Sequence, residues 1–139
     1  MGTITKDFSY KEFEASPTAS RKGICNVITS FAVRDAVKEL TERVLQPLRD
    51  RLGHPLRINS GYRCPELNRA VGGVPTSQHV KGEAADIVVG TPERAMALYR
   101  FIRDRLDFDQ LIWEPIDAPV PRWIHVSYTR RRKNRHSVL

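Results

Sequence analysis

Cysteine is scarce: the chain has two in 139 residues, Cys25 and Cys64, far apart and without a second pair nearby. That excludes a disulfide-rich secreted scaffold and a four-cysteine zinc site, leaving two isolated thiols. No stretch approaches the about 18 uninterrupted apolar residues of a membrane span. Residues 1–11 show no apolar core behind a basic start, so no secretory signal is visible and the chain is expected to be soluble where it is made. Internal repeats and low-complexity blocks are missing as well. Acids are missing from the last ten residues, where Arg130, Arg131, Arg132, Lys133 and Arg135 supply five of the seven net positive charges. The remaining body is nearly neutral, so the charge reads as a basic appendage over 130–139 rather than a nucleic-acid-binding face. No specific nucleic-acid partner is expected; a solvated tail could hold the protein near a polyanion through attraction that salt screens.

What is present suits one compact domain over residues 1–129. An apolar fraction of 40% at this length allows folding to bury about two-thirds of the unfolded surface. Residues 7–30 read as a short helical turn around Tyr10–Glu14 followed by a surface wrap rich in Ser, Thr, Gly and Asn. From Phe31 onward Val33, Ala36, Val37, Leu40, Val44, Leu48 and Leu52 recur at three- and four-residue steps, predicting a helix that stops at Gly53 and bends at Pro47. A short strand is expected over 56–60, a brief helix over 65–71 and a strand over 84–89. A helix capped by Thr91-Pro92 follows, with Ala95, Leu98, Phe101, Ile102 and Leu106 on one face. Strands over 109–114 and 122–128 complete an α+β fold, a small, mainly antiparallel sheet backed by helices.

The densest polar cluster runs from Ser77 to Asp86, with His79 and Asp86 seven residues apart across a loop that leads into a strand. Downstream, alternation in Trp123-Ile124-His125-Val126-Ser127 puts Trp123, His125 and Ser127 on one face. Two histidines and a carboxylate suffice for a catalytic zinc that keeps a coordination position open, and such a mixed set suits a closed structural site poorly. Taken singly, each has an ordinary alternative: a hydrogen-bonded core histidine for His125, and a strand-end carboxylate on backbone amides for Asp86. His54 and His136 have no such company. Arg63, in a turn after a strand, can present its guanidinium fork to a carboxylate or an oxyanion, or be a surface arginine. Ser77 can support a ligand or substrate, or cap its loop. Tyr62 and Trp123 can line a cleft or pack, and Cys64 has no histidine near it in sequence to activate it.

Ser60-Gly61-Tyr62-Arg63, Leu67-Asn68, Gly72-Gly73, the Ser-x-His-x-x-Gly-x-Ala-x-Asp block and Trp-Ile-His-Val-Ser together resemble the D-Ala-D-Ala carboxypeptidase family of zinc peptidases. The resemblance spans about Phe8 to Tyr128 and implies the fold shared by dipeptidases, phage endolysins and the hedgehog signalling domain. It implies one zinc ion held by His79, Asp86 and His125, with Arg63 facing a peptidoglycan stem peptide. Carboxypeptidases, dipeptidases and endolysins of this group often carry a glutamate three residues before the last histidine, where this chain has Arg122. Another branch closes the preceding strand with a glutamate in a Phe-Asp-x-x-x-x-Glu run, and Phe108–Glu114 matches it, which makes Glu114 the expected general base, with Asp109 and Asp117 as substitutes. The resemblance leaves carboxypeptidase and endopeptidase open. A monomer is expected, waiting in the cytoplasm as a phage or prophage lysin or carried in a phage particle. The competing reading is a non-catalytic, zinc-stabilised binding module of the same fold, motivated by Arg122.

Overall fold

The computed structural model describes residues 2–139. Its first elements are a small hairpin of β1 (Thr3–Thr5) and β2 (Phe8–Ser9), then α1 (Tyr10–Glu14) and α2 (Pro17–Lys22). The turn expected at Tyr10–Glu14 is α1, whereas α2 forms inside the expected wrap. Ser16 caps α2 by accepting from the Ala19 amide at 3.1 Å, and Pro17 fits the first turn because its missing N–H has no helical partner there. Asn26 ties the rest of the wrap down. Its side-chain amide donates to the carbonyls of Glu14 and Tyr62, and its oxygen accepts from the Cys64 amide at 2.7 Å.

The long helical stripe is continuous but not uniform: α3 (Phe31–Leu40), a π-helical turn over Thr41–Leu45, then α4 (Gln46–Leu52). The expected disturbance near Pro47 takes the form of that widened turn, which precedes the proline and leaves it in the first turn of α4. The apolar face survives, with Val37, Leu40, Val44, Leu45 and Leu48 fully buried.

After α4 come β3 (Arg57–Ser60), α5 (Pro65–Ala70), β4 (Ala84–Val88), α6 (Pro92–Arg105), β5 (Gln110–Glu114), β6 (Trp123–Ser127) and β7 (Ser137–Val138). The second sheet has the order β3-β4-β6-β5-β7, antiparallel except for the parallel β5–β7 pair. The fold is therefore α+β, a small and mainly antiparallel sheet packed on helices. Alternation gives the sheet two unlike faces. Ala85, Ile87, Leu111, Ile124 and Val126 are buried in the core with α3, α4 and α6, and Asp86, Gln110, Ile112, Glu114, Trp123 and His125 share the other face.

Residues 130–139 depart from the expected solvated tail. β7 pairs with β5, and the chain end is stitched on by the Ser137 amide to the Asp109 carbonyl (3.0 Å) and the Leu139 amide to the Leu111 carbonyl (2.8 Å). The physical reason is charge. Asp109 is completely buried and Glu83 nearly so, and ionised carboxylates need cationic partners there. The Arg132 and Arg135 side chains each make two hydrogen bonds to Asp109, the Arg135 amide adds a third at 2.9 Å, and Arg131 makes two to Glu83 at 2.8 Å each. Asp109 is thus a structural counter-ion, which corrects its candidacy as a base.

Removing residues 130–139 strands both carboxylates and should cost at least about 3 kcal/mol in unfolding free energy, measured by urea denaturation. Acid attacks the same clamp. Burial pushes the Asp109 carboxyl up, but its bonds to Arg132 and Arg135 prevail and hold it well below the usual carboxylate range. Its contribution is complete above the ordinary value of about 3.9 and is lost as pH falls through the lower native value. Unfolding free energy should therefore drop below about pH 4, and less steeply in Arg135→Gln.

Candidate metal centre

Three strands and one loop build the site. β4 and β6 pair so that Asp86 lies opposite His125, on the face turned away from the core. His79 arrives from the loop between α5 and β4, which turns back at Gly82, where φ is +74° and a Cβ would fall 2.7 Å from the Val33 carbonyl oxygen. Only glycine fits that turn against α3, which accounts for the glycine of the Ser77–Asp86 block. The loop is also held by the Arg63 amide, which donates to the His79 carbonyl at 3.1 Å, and by Ser77 Oγ, which accepts from the His79 amide at 3.2 Å.

The three side chains converge. One donor atom from each of His79, Asp86 and His125 lies within 4.8 Å of the other two, a group able to hold a metal ion. His79 Nδ1 lies 2.7 Å from the Gly61 carbonyl oxygen. A carbonyl only accepts, so Nδ1 carries the proton and Nε2 turns its lone pair toward Asp86 Oδ1, 3.3 Å away. A lone pair facing a carboxylate oxygen calls for a cation between them. The 3.3 Å separation also equals the edge, about 3.3 Å, that two ligands keep at about 2.0 Å from a tetrahedral centre. His125 Nδ1 sits 2.9 Å from the same oxygen, and the two rings meet edge to face. The residues present therefore fit a divalent ion by donor type and spacing. Burial pushes the Asp86 carboxyl up, but the two imidazoles beside it prevail and hold it well below the usual range, so it stays ionised.

A cavity of about 530 Å³ opens over this triad, and Arg63, Ser77, Glu114 and Trp123 line it as well. Glu114 closes β5 directly opposite Trp123 and is diagonal to His125, a relation that keeps Cβ atoms about 7–8 Å apart or somewhat less. Arg63 is held by Ser60 Oγ (3.2 Å) and Asn68 Oδ1 (3.3 Å), with Nη2 3.7 Å from Asp86 Oδ2. Burial lowers the Arg63 pKa and Asp86 opposes that shift, leaving a guanidinium charged and partly desolvated.

Family comparison agrees with this geometry, because the family model described as peptidase M15 matches residues 6–127. The chain belongs to the peptidase M15 family. That is the D-Ala-D-Ala carboxypeptidase-like family the motifs resembled, and its members are metallopeptidases. No curated protein matches the chain.

Other expectations fare differently within this M15 fold. Tyr62 is not among the residues that line the cavity; it packs in the core, where its amide donates to the Phe13 carbonyl at 2.8 Å and holds the chain against α1. Asp117 lines a separate hollow with Trp113 and Tyr99, away from the triad. His54 is half-buried and away from the triad, and His136 pairs with Asp107. Cys64 Sγ accepts from the Leu67 amide at the start of α5, and both cysteines are free. Sequence reasoning missed Gln78, Arg131, Arg132 and Arg135 as cavity residues. A usable signal existed: Glu83 and Asp109 directly border apolar strands, and the last ten residues hold bases without an acid.

One equivalent of divalent metal should bind and stabilise the fold by about 2.7 kcal/mol at a hundredfold excess over Kd. Asp86→Ala should abolish both effects, as read by isothermal titration calorimetry and thermal denaturation.

Proposed function

We propose that this M15 peptidase is a zinc enzyme that hydrolyses peptidoglycan stem peptides, with His79, Asp86 and His125 holding the ion. The observation that carries the proposal is the convergence of those donors beneath a cavity that Glu114 and Arg63 also line. Zinc in a mixed nitrogen and oxygen set supplies a Lewis acid that polarises a scissile carbonyl and acidifies water.

The chain's own groups supply the rest. Glu114, on the sheet face of His125, accepts a proton from the water that attacks the carbonyl carbon and returns it to the departing amine nitrogen as the C–N bond breaks. Arg63 turns its positive charge toward the carbonyl oxygen as negative charge develops there, its orientation fixed by Ser60 and Asn68. Trp123, opposite Glu114, offers a flat wall for the substrate backbone, and Ser77 steadies the His79 loop. A cell-wall substrate suits a phage or prophage lysin, or a component of a phage particle.

Mass spectrometry of purified peptidoglycan digested with the zinc-loaded protein, beside His125→Ala and a chelated control, tests the reading. Zinc-dependent release of D-Ala is expected of a carboxypeptidase, and new L-Ala or cross-link ends of an endopeptidase. Glu114→Ala should keep its zinc and lose about 10²–10⁴-fold in kcat. Tight zinc binding with no product would instead favour the non-catalytic binding module.

A further inference from the structure

Three of the four arginines of the C-terminal segment stand out because their positive charge faces the cavity while their counter-charges face the interior. Arg131, Arg132 and Arg135 line the same cavity as the triad, whereas Glu83 and Asp109 lie behind it, 3% and 0% exposed. Their side chains remain 50%, 40% and 53% exposed, so each is anchored at one edge and open at the other.

Donor accounting makes this specific. A guanidinium has five N–H bonds. Arg131 uses Nε and Nη2 on Glu83, Arg135 uses Nε and Nη2 on Asp109, and Arg132 uses Nη1 and Nη2 on Asp109, with a long contact to the Lys133 carbonyl. Among the described residues, Nη1 of Arg131, Nη1 of Arg135 and Nε of Arg132 have no protein acceptor. Three cations share two carboxylates, so a positive charge is left over on the cavity side. Gln78 donates to both Glu83 and Asp109 and directly precedes His79, so this wall and the triad share one support.

We infer that Arg131, Arg132 and Arg135 form a carboxylate-binding subsite that selects peptide substrates bearing a free carboxylate away from the scissile bond. Planar forks held from behind by buried carboxylates are pre-organised for bidentate pairing with a second carboxylate, which flexible lysines would not be. The inference rests on the peptidase reading for its substrate class, but the binding it describes does not require turnover.

The test is the equilibrium binding of three synthetic stem pentapeptides: one with its carboxylates free, one with the D-glutamate carboxyl as carboxamide, and one with the C-terminus as carboxamide. One of the two amidations is expected to weaken binding to the wild-type protein about tenfold, the effect of losing a charge-assisted pair. That penalty should shrink to about threefold or less in Arg132→Gln and in Arg135→Gln, since each removes part of the fork. Each variant leaves Asp109 with the other arginine, and a thermal melt checks that it folds; the wild-type comparison needs no variant. Equal binding of all three peptides overturns the subsite, and so does a penalty that persists unchanged in both variants and in Arg131→Gln, which would assign the carboxylate to Arg63. Cleavage without carboxylate preference would sink the subsite and spare the peptidase reading. Preference without cleavage of any stem peptide would do the reverse.

Discussion

Directly opposed residues in an antiparallel pair approach to about 4.5–5.5 Å between Cα atoms, and the β4–β6 register spends that proximity on Asp86 and His125. The same register turns Ala85, Ile87, Ile124 and Val126 toward the helices. Because side chains alternate strictly, a one-residue slip would bury the two donors and expose the apolar set. Core and site are thus specified by a single pairing, and the hydrophobic burial that stabilises the sheet also positions the donors. His79 is the exception, since it comes from a loop, and the loop compensates with a tight glycine turn and backbone bonds at both ends.

The second organising force is electrostatic and joins segments distant in sequence. Glu83 immediately precedes β4 and Asp109 immediately precedes β5, so each acid stands at the foot of a strand that carries cavity residues. Both are neutralised from the same short C-terminal stretch. Losing one partner of such a buried pair costs far more than an exposed pair contributes, so the clamp fixes position more firmly than its net stabilisation suggests. Surface pairs such as Lys6–Asp50 or Lys38–Glu42 carry no comparable weight.

Those two forces differ in how plainly a sequence displays them. The strands around Asp86 and His125, the apolar stripe from Val37 to Leu48 and the Thr91 cap are legible because they depend on local period and local chemistry. Placing Trp123 and His125 on one face follows from the same alternation, whereas Glu114 joins them through the β5–β6 register and was signalled only by the resemblance. Tyr62 stays open in the sequence because an aromatic beside a functional arginine looks the same whether it packs or faces a cleft. The arginine wall was misread because ion pairing over 23 to 48 residues leaves no periodic trace, and a run of bases without acids resembles a solvated tail. β7 is two residues long and parallel to its neighbour, too short to announce itself through alternation.

Gly61 carries a consequence that reaches the N-terminal helix. A Cβ at this position would lie 2.7 Å from Phe13 Cδ1 and 2.8 Å from Phe13 Cα, and the Gly61 carbonyl is the acceptor that fixes the His79 ring. Phe13, fully buried, therefore packs directly against the residue whose carbonyl orients the His79 imidazole. The N-terminal segment acts as a tuning screw for the centre: repacking around Phe13 would change how tightly an ion is gripped while leaving every polar group in the cavity chemically intact.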